Sequence, residues 1–576
     1  MGVVVGRRLA AAGVALALAW GLVPGSGPAP AVAGTFSARA EARKMDAIKA
    51  PKLSWYRCVD GAECATVKVP RDYDKPTGAK VELALLRVKA RDRKNRIGTL
   101  FLNPGGPGSS SVDMALNAPD MLSQKVLDRF DVVGMDPRGI GYGESVSCFA
   151  STRAQTTATA GYASFFPVGA RQEKAWTASD RKLGKACSAD ALARSMSTAQ
   201  VARDMELMRR AVGDKKLSYL GFSYGTYLGQ VYANMFPTRV RAVAVDGVLD
   251  PVAWAGSKGN AAQPLEWRLN SSGGAWKALR EILVRCDRAG VTRCSFAAGD
   301  PVRNMATIAA RLKARPLVLQ DEDGTLTLTY ADLVGILLGE LYDPAGYQTV
   351  TDLLAAVYAL TSPVPATAAR ARTTRTERAE ASAAVGHALR RAEDDRPRWG
   401  SYDNTQDAFA SVTCTDSRET TRGSQYSGWA TKVDRRAPYF GRAWLWSSSF
   451  CAADAFTGND EDAYTGPFTA RTAAPLLYVG NYYDPATNYA GAVSAAKRMP
   501  GSRLLTSSSF GHTAYGTSSC VTGAVDAYLL RGTLPKAGKV CVGDVQPFAA
   551  GSAALQTNDA RQQLLQRQHV AVLAPR

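Results

Sequence analysis

The sequence predicts an α/β fold in two separated parts, with a long, mainly helical segment inserted between them. Three observations carry this. Residues 97–250 alternate short apolar runs with stretches of helical periodicity, the pattern of a parallel sheet covered by helices. The alternation stops after Asp250-Pro251, and helical periodicity rich in Trp and Arg takes over. An apolar run at Pro475-Leu476-Leu477-Tyr478-Val479 then restarts the strand-helix pattern, which continues to near Leu530.

Taken in order, residues 1–33 hold Arg7-Arg8, a mostly apolar stretch over 9–23, and Ala31-Val32-Ala33. A basic region, a hydrophobic region and a small-residue cleavage site make a signal peptide, with Sec-type export favoured because no pattern flanks the arginine pair. No other apolar run reaches the roughly 18 residues of a membrane span, so the mature chain is expected to be secreted and extracellular. Residues 34–52 are polar, alanine-rich and basic, a propeptide or a flexible arm. Residues 53–250 form the first part of the core. They open with alternating strands at 65–69 and 81–88, followed by strands at 98–102, 132–135, 217–221 and 240–245. Residues 251–470 are the inserted segment, including a low-complexity Ala/Thr/Arg stretch at 364–391. Residues 471–545 complete the core, and 546–576 form a tail.

The chemistry begins at Gly221-Phe222-Ser223-Tyr224-Gly225, between the apolar run 217–220 and a helical pattern over 227–236. A serine on a tight strand-to-helix turn, with glycines flanking it, is a nucleophile elbow. A serine hydroxyl needs an imidazole to take its proton, and the chain has only three histidines. His387 lies in an Ala/Arg-rich helical run and His569 near the C-terminus, whereas His512 follows Ser509-Phe510-Gly511 in a loop directly after a strand. The carboxylate that orients such a base is Asp484, at the end of the apolar run 475–483 and one helix and one strand before His512. Asp454 and Asp462 are nearby, but neither follows a comparable strand. The chain order Ser223, Asp484, His512 is that of the α/β-hydrolase fold.

An acyl-transfer site also needs two backbone donors for an oxyanion. One is the amide of Tyr224. The other comes from the turn Asn103-Pro104-Gly105-Gly106-Pro107-Gly108, with Gly106 preferred and Gly105 the alternative. A phosphate-binding loop is a poor reading of this turn, since no Lys-Ser/Thr follows it.

Residues 103–108 resemble the His-Gly-Gly-Pro-Gly turn of the proline iminopeptidase family, with Pro104 in the histidine position. The segment Asp131-Val132-Val133-Gly134-Met135-Asp136-Pro137-Arg138-Gly139 is similar to that family's Asp-x-Arg-Gly element. With the Ser223 elbow and the 480–512 region, the chain as a whole resembles secreted bacterial tripeptidyl aminopeptidases, over residues 53 to 545. The resemblance implies an α/β-hydrolase fold with a large, mainly helical cap inserted before the Asp-bearing strand. It also implies a serine exopeptidase that releases short peptides, tripeptides by expectation, from free N-termini. Ser223 would be the nucleophile, His512 the base and then the acid, and Asp484 its orienter. Asp136 and Arg138 read as structural, tying the turn after their strand to its neighbours. Asp204 and Glu206, on a helix over 198–212, read as a solvated face. A secreted esterase or lipase shares the same triad, and a proline iminopeptidase or an inactive hydrolase-fold binding protein are more distant readings.

An aminopeptidase must also hold a free ammonium, which calls for a carboxylate in a partly dry pocket. The inserted segment offers Glu266, Asp287, Glu340, Asp343, Asp403, Asp407, Asp416 and Asp454, and the sequence does not choose among them. Trp254, Trp267, Trp444 and Trp446 read as cap core. Ten cysteines suit an oxidising compartment, and sequence-local pairing gives 58–64, 148–187, 286–294, 414–451 and 520–541. No Cys-x-x-Cys occurs, histidine is scarce, and the chemistry calls for neither a metal nor an organic cofactor. The formal charge of +19 falls to about +17 without Arg7 and Arg8, but the basic residues are scattered and no nucleic-acid motif accompanies them. The expected partner is a peptide with a free N-terminus, not a nucleic acid or a membrane. The sequence leaves the oligomeric state open.

Overall fold

The computed structural model describes residues 36–321, 324–363, 368–394 and 402–549. The predicted signal peptide, residues 34–35 of the arm, His569 and the tail from residue 550 lie outside the described residues. Twelve strands are formed among the described residues: β1 Tyr56–Val59, β2 Ala62–Pro70, β3 Lys80–Val88, β4 Gly98–Asn103, β5 Phe130–Met135, β6 Leu217–Phe222, β7 Val240–Asp246, β8 Leu317–Asp321, β9 Gly324–Leu328, β10 Leu477–Tyr483, β11 Arg503–Phe510 and β12 Val540–Val542. Ten of them build one sheet in the order β1-β2-β3-β5-β4-β6-β7-β10-β11-β12. From β5 to β12 neighbouring strands run parallel, and β1, β2 and β3 pair antiparallel at one edge. Every residue of β4, β5 and β6 is buried, which is why they read as unbroken apolar runs rather than alternating ones. Leu100, Val132, Leu220, Ala244, Val479 and Leu505 share one apolar cluster with Val521, Val525 and Leu529 of the helix Ser519–Arg531. That helix covers one face of the sheet, and Tyr224–Met235, directly after the elbow, lies against β6 and β7.

The six strands expected within 53–250 are all present, each within three residues of its expected ends, whereas β10 and β11 run further toward the C-terminus than the apolar runs that announced them. The edge strands β1 and β12 and the separate hairpin β8-β9 were not expected. The segment expected as an arm differs more. Ser37 caps a helix Ala38–Ala47 whose Met45 is fully buried, and Glu41 forms a buried ion pair with Arg203 at 2.7 Å. The polar composition hid a docked helix, because its charges are met by partners far along the chain.

Between β7 and β10 the chain forms the predicted series of helices, from Pro251–Ala255 to Phe440–Trp446, with the hairpin β8-β9 among them. A second helical insertion, between β5 and β6, joins the same layer. Its helices Thr152–Thr159 and Ala170–Ala189 pack on Thr405–Asp416 and the turn Ser449–Cys451. Trp176 Nε1 donates to Ser449 Oγ at 3.1 Å, and the Cys148 amide donates to Asp407 at 2.8 Å. All five sequence-local disulfides are formed, among them Cys148–Cys187 in one insertion and Cys414–Cys451 in the other. Trp254, Trp444 and Trp446 are buried as layer core. From Ser37 onward, sheet and helical layer cluster as one compact unit. No helix among the described residues is long and apolar enough to cross a membrane.

Candidate active site

Ser223 sits between β6 and its following helix with φ 55° and ψ −129°, a left-handed conformation that non-glycine residues seldom hold. Such strain costs on the order of 1–3 kcal/mol and persists only where the surroundings over-determine it. Here the Ser223 amide donates to the Asp246 carbonyl at 3.0 Å, and its carbonyl accepts from Thr226 N at 2.9 Å and Thr226 Oγ1 at 2.6 Å. The flanking glycines are required by crowding. A Cβ on Gly221 would lie 2.5 Å from the Tyr219 ring, and one on Gly225 would lie 2.5 Å from Asn103 Oδ1.

The 103–108 turn packs directly on this elbow. A Cβ on Gly105 would fall 2.8 Å from Ser223 Cβ and 2.9 Å from Tyr224 N. The Gly105 amide is already engaged, donating to Asn103 Oδ1 at 3.1 Å, and Asn103 Nδ2 donates to Ser111 Oγ.

Asp484 and His512 meet at the ends of β10 and β11. His512 Nδ1 lies 3.0 and 2.9 Å from the two Asp484 oxygens, and neither side chain is more than 1 % exposed. Asp484 is itself held by Ala486 N and Thr487 N, both at 2.8 Å, and by Thr487 Oγ1 at 2.9 Å. The His512 amide donates to the Tyr342 carbonyl at 2.9 Å, and the Tyr342 ring stands edge-on to the imidazole at 5.1 Å. His512 Nε2 is buried and has no hydrogen-bond partner among the described residues. Gly247 joins the two halves. It follows the Asp246 that anchors Ser223, and a Cβ there would be 3.0 Å from His512 Cε1. Asp246 Oδ2 also accepts from Ala514 N and Tyr515 N, fixing the His512 loop to the end of β7, beside the elbow. His387, by contrast, is exposed on the helix Ala368–Asp394.

The helical layer touches all three loops. The helix Thr405–Asp416 backs Gly108, Pro344 closes on Gly511, and Gly274 presses on the Asp484 carbonyl, where a Cβ would sit at 2.5 Å. Asp416 reaches further in. It accepts from Thr198 N at 2.7 Å, Thr198 Oγ1 at 2.6 Å and Trp254 Nε1 at 3.1 Å, and Thr198 Oγ1 is bonded to the Tyr224 hydroxyl. Burial pushes the Asp416 carboxyl up to about 7, with the Thr198 donors opposing.

Asp136 is structural, as expected. It accepts from Val112 N, Tyr142 N and Ser110 Oγ, and burial lifts it to about 6. The reading of Asp204 and Glu206 as a solvated face is overturned, since both are fully buried. Asp204 pairs with Arg138 at 2.6 Å and takes the Tyr73 hydroxyl, whereas Glu206 holds Arg209, Arg239 and the Tyr232 hydroxyl. Apart from Arg209 on the same helix, their partners come from distant segments that local sequence pattern does not bring into view. Tyr342, Thr487 and Asp246 were likewise missed, and Asp416, offered as a carboxylate for the ammonium, instead holds Thr198 and Trp254. A fixed spacing in the chain announces none of them.

Residues 98–271 match the alpha/beta hydrolase fold family, and residues 437–541 match the family described as TAP-like protein. The chain is 30 % identical over 545 residues to carboxylesterase B of Mycobacterium tuberculosis, covering 91 % of this chain and 97 % of that protein. It is 29 % identical to serine protease Hip1 of the same organism, over 84 % of this chain and 87 % of Hip1. It is also 29 % identical to the tripeptidyl aminopeptidase of Streptomyces lividans, over 84 % of each. With the sheet order and the elbow, these likenesses establish that the chain belongs to the α/β-hydrolase fold family, as a serine hydrolase of the group that includes the tripeptidyl aminopeptidases.

Proposed function

We propose that the protein is a secreted serine exopeptidase that releases short peptides, tripeptides by expectation, from free N-termini. The observation that carries the chemistry is the buried Asp484–His512 pair beside the strained Ser223, with Nε2 of the imidazole uncommitted. In this reading Ser223 Oγ attacks the scissile carbonyl carbon while His512 Nε2 takes its proton. The oxyanion accepts from the amides of Tyr224 and Gly106. Gly106 is chosen over Gly105 because the Gly105 amide is spent on Asn103. His512 then hands the proton to the departing amine, and an acyl-enzyme remains. Water, deprotonated by His512, releases the peptide and restores Ser223.

Both helical insertions form the lid, since the one over 251–470 borders the three loops and the other is tied to it. Peptide substrates are favoured by the likeness to the Streptomyces aminopeptidase and to Hip1. Export is supported by the five disulfides and by the N-terminal pattern. A second reading, a carboxylic-ester hydrolase with the same triad, draws on the likeness to carboxylesterase B.

The test is hydrolysis of one-, two- and three-residue p-nitroanilides with free N-termini, their N-acetylated twins, and short- and long-chain p-nitrophenyl esters. Selective cleavage of free-amine peptides, abolished in a folded Ser223→Ala variant, is the expected result. Turnover of esters alone would move the assignment to an esterase.

A further inference from the structure

Near the catalytic loops the helical layer holds a buried carboxylate with one oxygen unmet. Glu266 lies on the short helix Leu265–Leu269, is only 7 % exposed, and its Oε2 has no hydrogen-bond partner among the described residues. One turn on, the Asn270 amide donates to the Glu266 carbonyl at 2.9 Å, and Asn270 Oδ1 is also buried without a partner among the described residues. Two unmet acceptors therefore lie on one short stretch, Glu266 within the helix and Asn270 as the left-handed residue that ends it.

This turn is fastened to the catalytic loops. The Asn270 carbonyl accepts from Asn488 Nδ2 at 2.9 Å, and the following helix Ser271–Ala289 carries the Gly274 that presses on Asp484. The Tyr342 hydroxyl is held well above its ordinary value by burial and by the negative charges of Asp484 and Glu266 together. Glu266 is therefore within electrostatic reach of the tyrosine that stands against His512. Burial pushes the Glu266 carboxyl up to about 8, against the opposing pull of Ser271 and Arg268. Arg268 does not bond to it, donating instead to the Arg418 carbonyl and Ser417 Oγ. Other lid carboxylates are already served: Asp407 by Cys148 N and Tyr402, Asp416 by Thr198 and Trp254, and Asp454 by Arg181 and Gly423 N.

We propose that Glu266, assisted by the Asn270 side-chain oxygen, receives the free α-ammonium of the peptide substrate and so sets the demand for an unblocked N-terminus. The proposal rests on the aminopeptidase reading above. An ammonium supplies three N–H donors and a positive charge, the complement of two buried acceptors of which one ionises.

The experiment compares kcat/KM for a free-amine tripeptide p-nitroanilide, its N-acetylated twin and p-nitrophenyl acetate, in wild type and in Glu266→Gln. The variant is expected to lose roughly 10- to 100-fold on the free-amine substrate while ester turnover stays within about twofold, because one charge-assisted contact is removed. The ratio of free to acetylated cleavage then collapses toward one. Glu266→Gln with the wild-type ratio would overturn the proposal. If Glu266→Gln loses ester turnover as well, Glu266→Asp reads the same ratio, because it keeps the charge but withdraws it by one methylene. A KM rise confined to the free amine then supports the proposal, and an unchanged ratio overturns it. A wild type that cleaves both peptides equally would refute the aminopeptidase reading itself, and the assignment of Glu266 with it.

Discussion

Replacing Asp484 by asparagine tests the proposed site most directly, because the structure dictates how the new side chain must sit. Oδ1 of Asp484 accepts from two backbone amides, Ala486 N and Thr487 N, each at 2.8 Å. An NH2 group cannot replace that oxygen without opposing two fixed donors, so the amide oxygen of the substituted side chain takes the Oδ1 position. Its NH2 then occupies the Oδ2 position, facing His512 Nδ1 at 2.9 Å. With that NH2 at 2.9 Å competing against the amide oxygen at 3.0 Å, the imidazole is driven toward the tautomer in which Nδ1 accepts and Nε2 carries the proton. The nitrogen that has to take the Ser223 proton is then already protonated. The same inversion at a serine-protease aspartate lowers kcat by about ten-thousandfold with the geometry intact, and a loss of that order is expected here. Substrate binding needs no tautomer, so KM should change by no more than about threefold. The assay is steady-state hydrolysis of a free-amine tripeptide p-nitroanilide beside a thermal melt of the same preparation. Retention of more than about a tenth of wild-type kcat in a folded Asp484→Asn variant would refute the orienting role of Asp484.

Gly105→Ala sets a methyl 2.8 Å from Ser223 Cβ at a φ of 103°, so activity should fall at least about a hundredfold, measured on esters and p-nitroanilides alike. Removing the Cys520–Cys541 bridge with paired alanines frees a 21-residue separation, and the chain-entropy model puts the loss at about 3 kcal/mol, read by denaturant unfolding. Burial raises Asp180 from 3.8 to about 8, so its contribution to stability is full below about pH 4 and is lost as pH rises through about 8. Asp180→Asn keeps an acceptor for the Tyr162 hydroxyl, and its melting temperature should fall less than that of wild type between pH 5 and pH 9.

What the sequence made legible was whatever repeats a local physical pattern. β4, β5 and β6 are buried on both faces, and burial on both faces leaves an uninterrupted apolar run. The Ser223 elbow was visible because its crowding admits only glycine at 221 and 225, and the chain has few histidines to serve it. Long-range pairing was not legible. Asp204 and Glu206 sit on a helix whose polar pattern suits a solvated face, yet Arg138 arrives from 66 residues away and Arg239 from 33. The helix Ala38–Ala47 looked like an arm for the same reason, since Glu41 finds Arg203 at a separation of 162. Glu266 was one carboxylate among eight until the structure showed its Oε2 buried and unmet beside the turn fastened to Asn488.

In the proposed mechanism the helical layer also acts beyond enclosing the substrate. Asp416, at the end of the helix that Cys414 ties to Cys451, holds Thr198 by both its amide and its hydroxyl. The Thr198 hydroxyl in turn holds the hydroxyl of Tyr224, the first residue of the helix after Ser223 and the owner of one proposed oxyanion donor. Asp416 also fixes Trp254, whose ring lies 5.5 Å from that of Tyr224. A donor aimed at developing charge is useful only if it need not reorganise when the charge appears. Tyr224 is held at its ring and hydroxyl through Trp254, Thr198 and Asp416, and the Gly105 turn packs on its backbone, so the 251–470 insertion and the core meet at this residue. The lid proposed to read a peptide N-terminus through Glu266 is thereby continuous, through Asp416 and Thr198, with the turn that carries the proposed nucleophile.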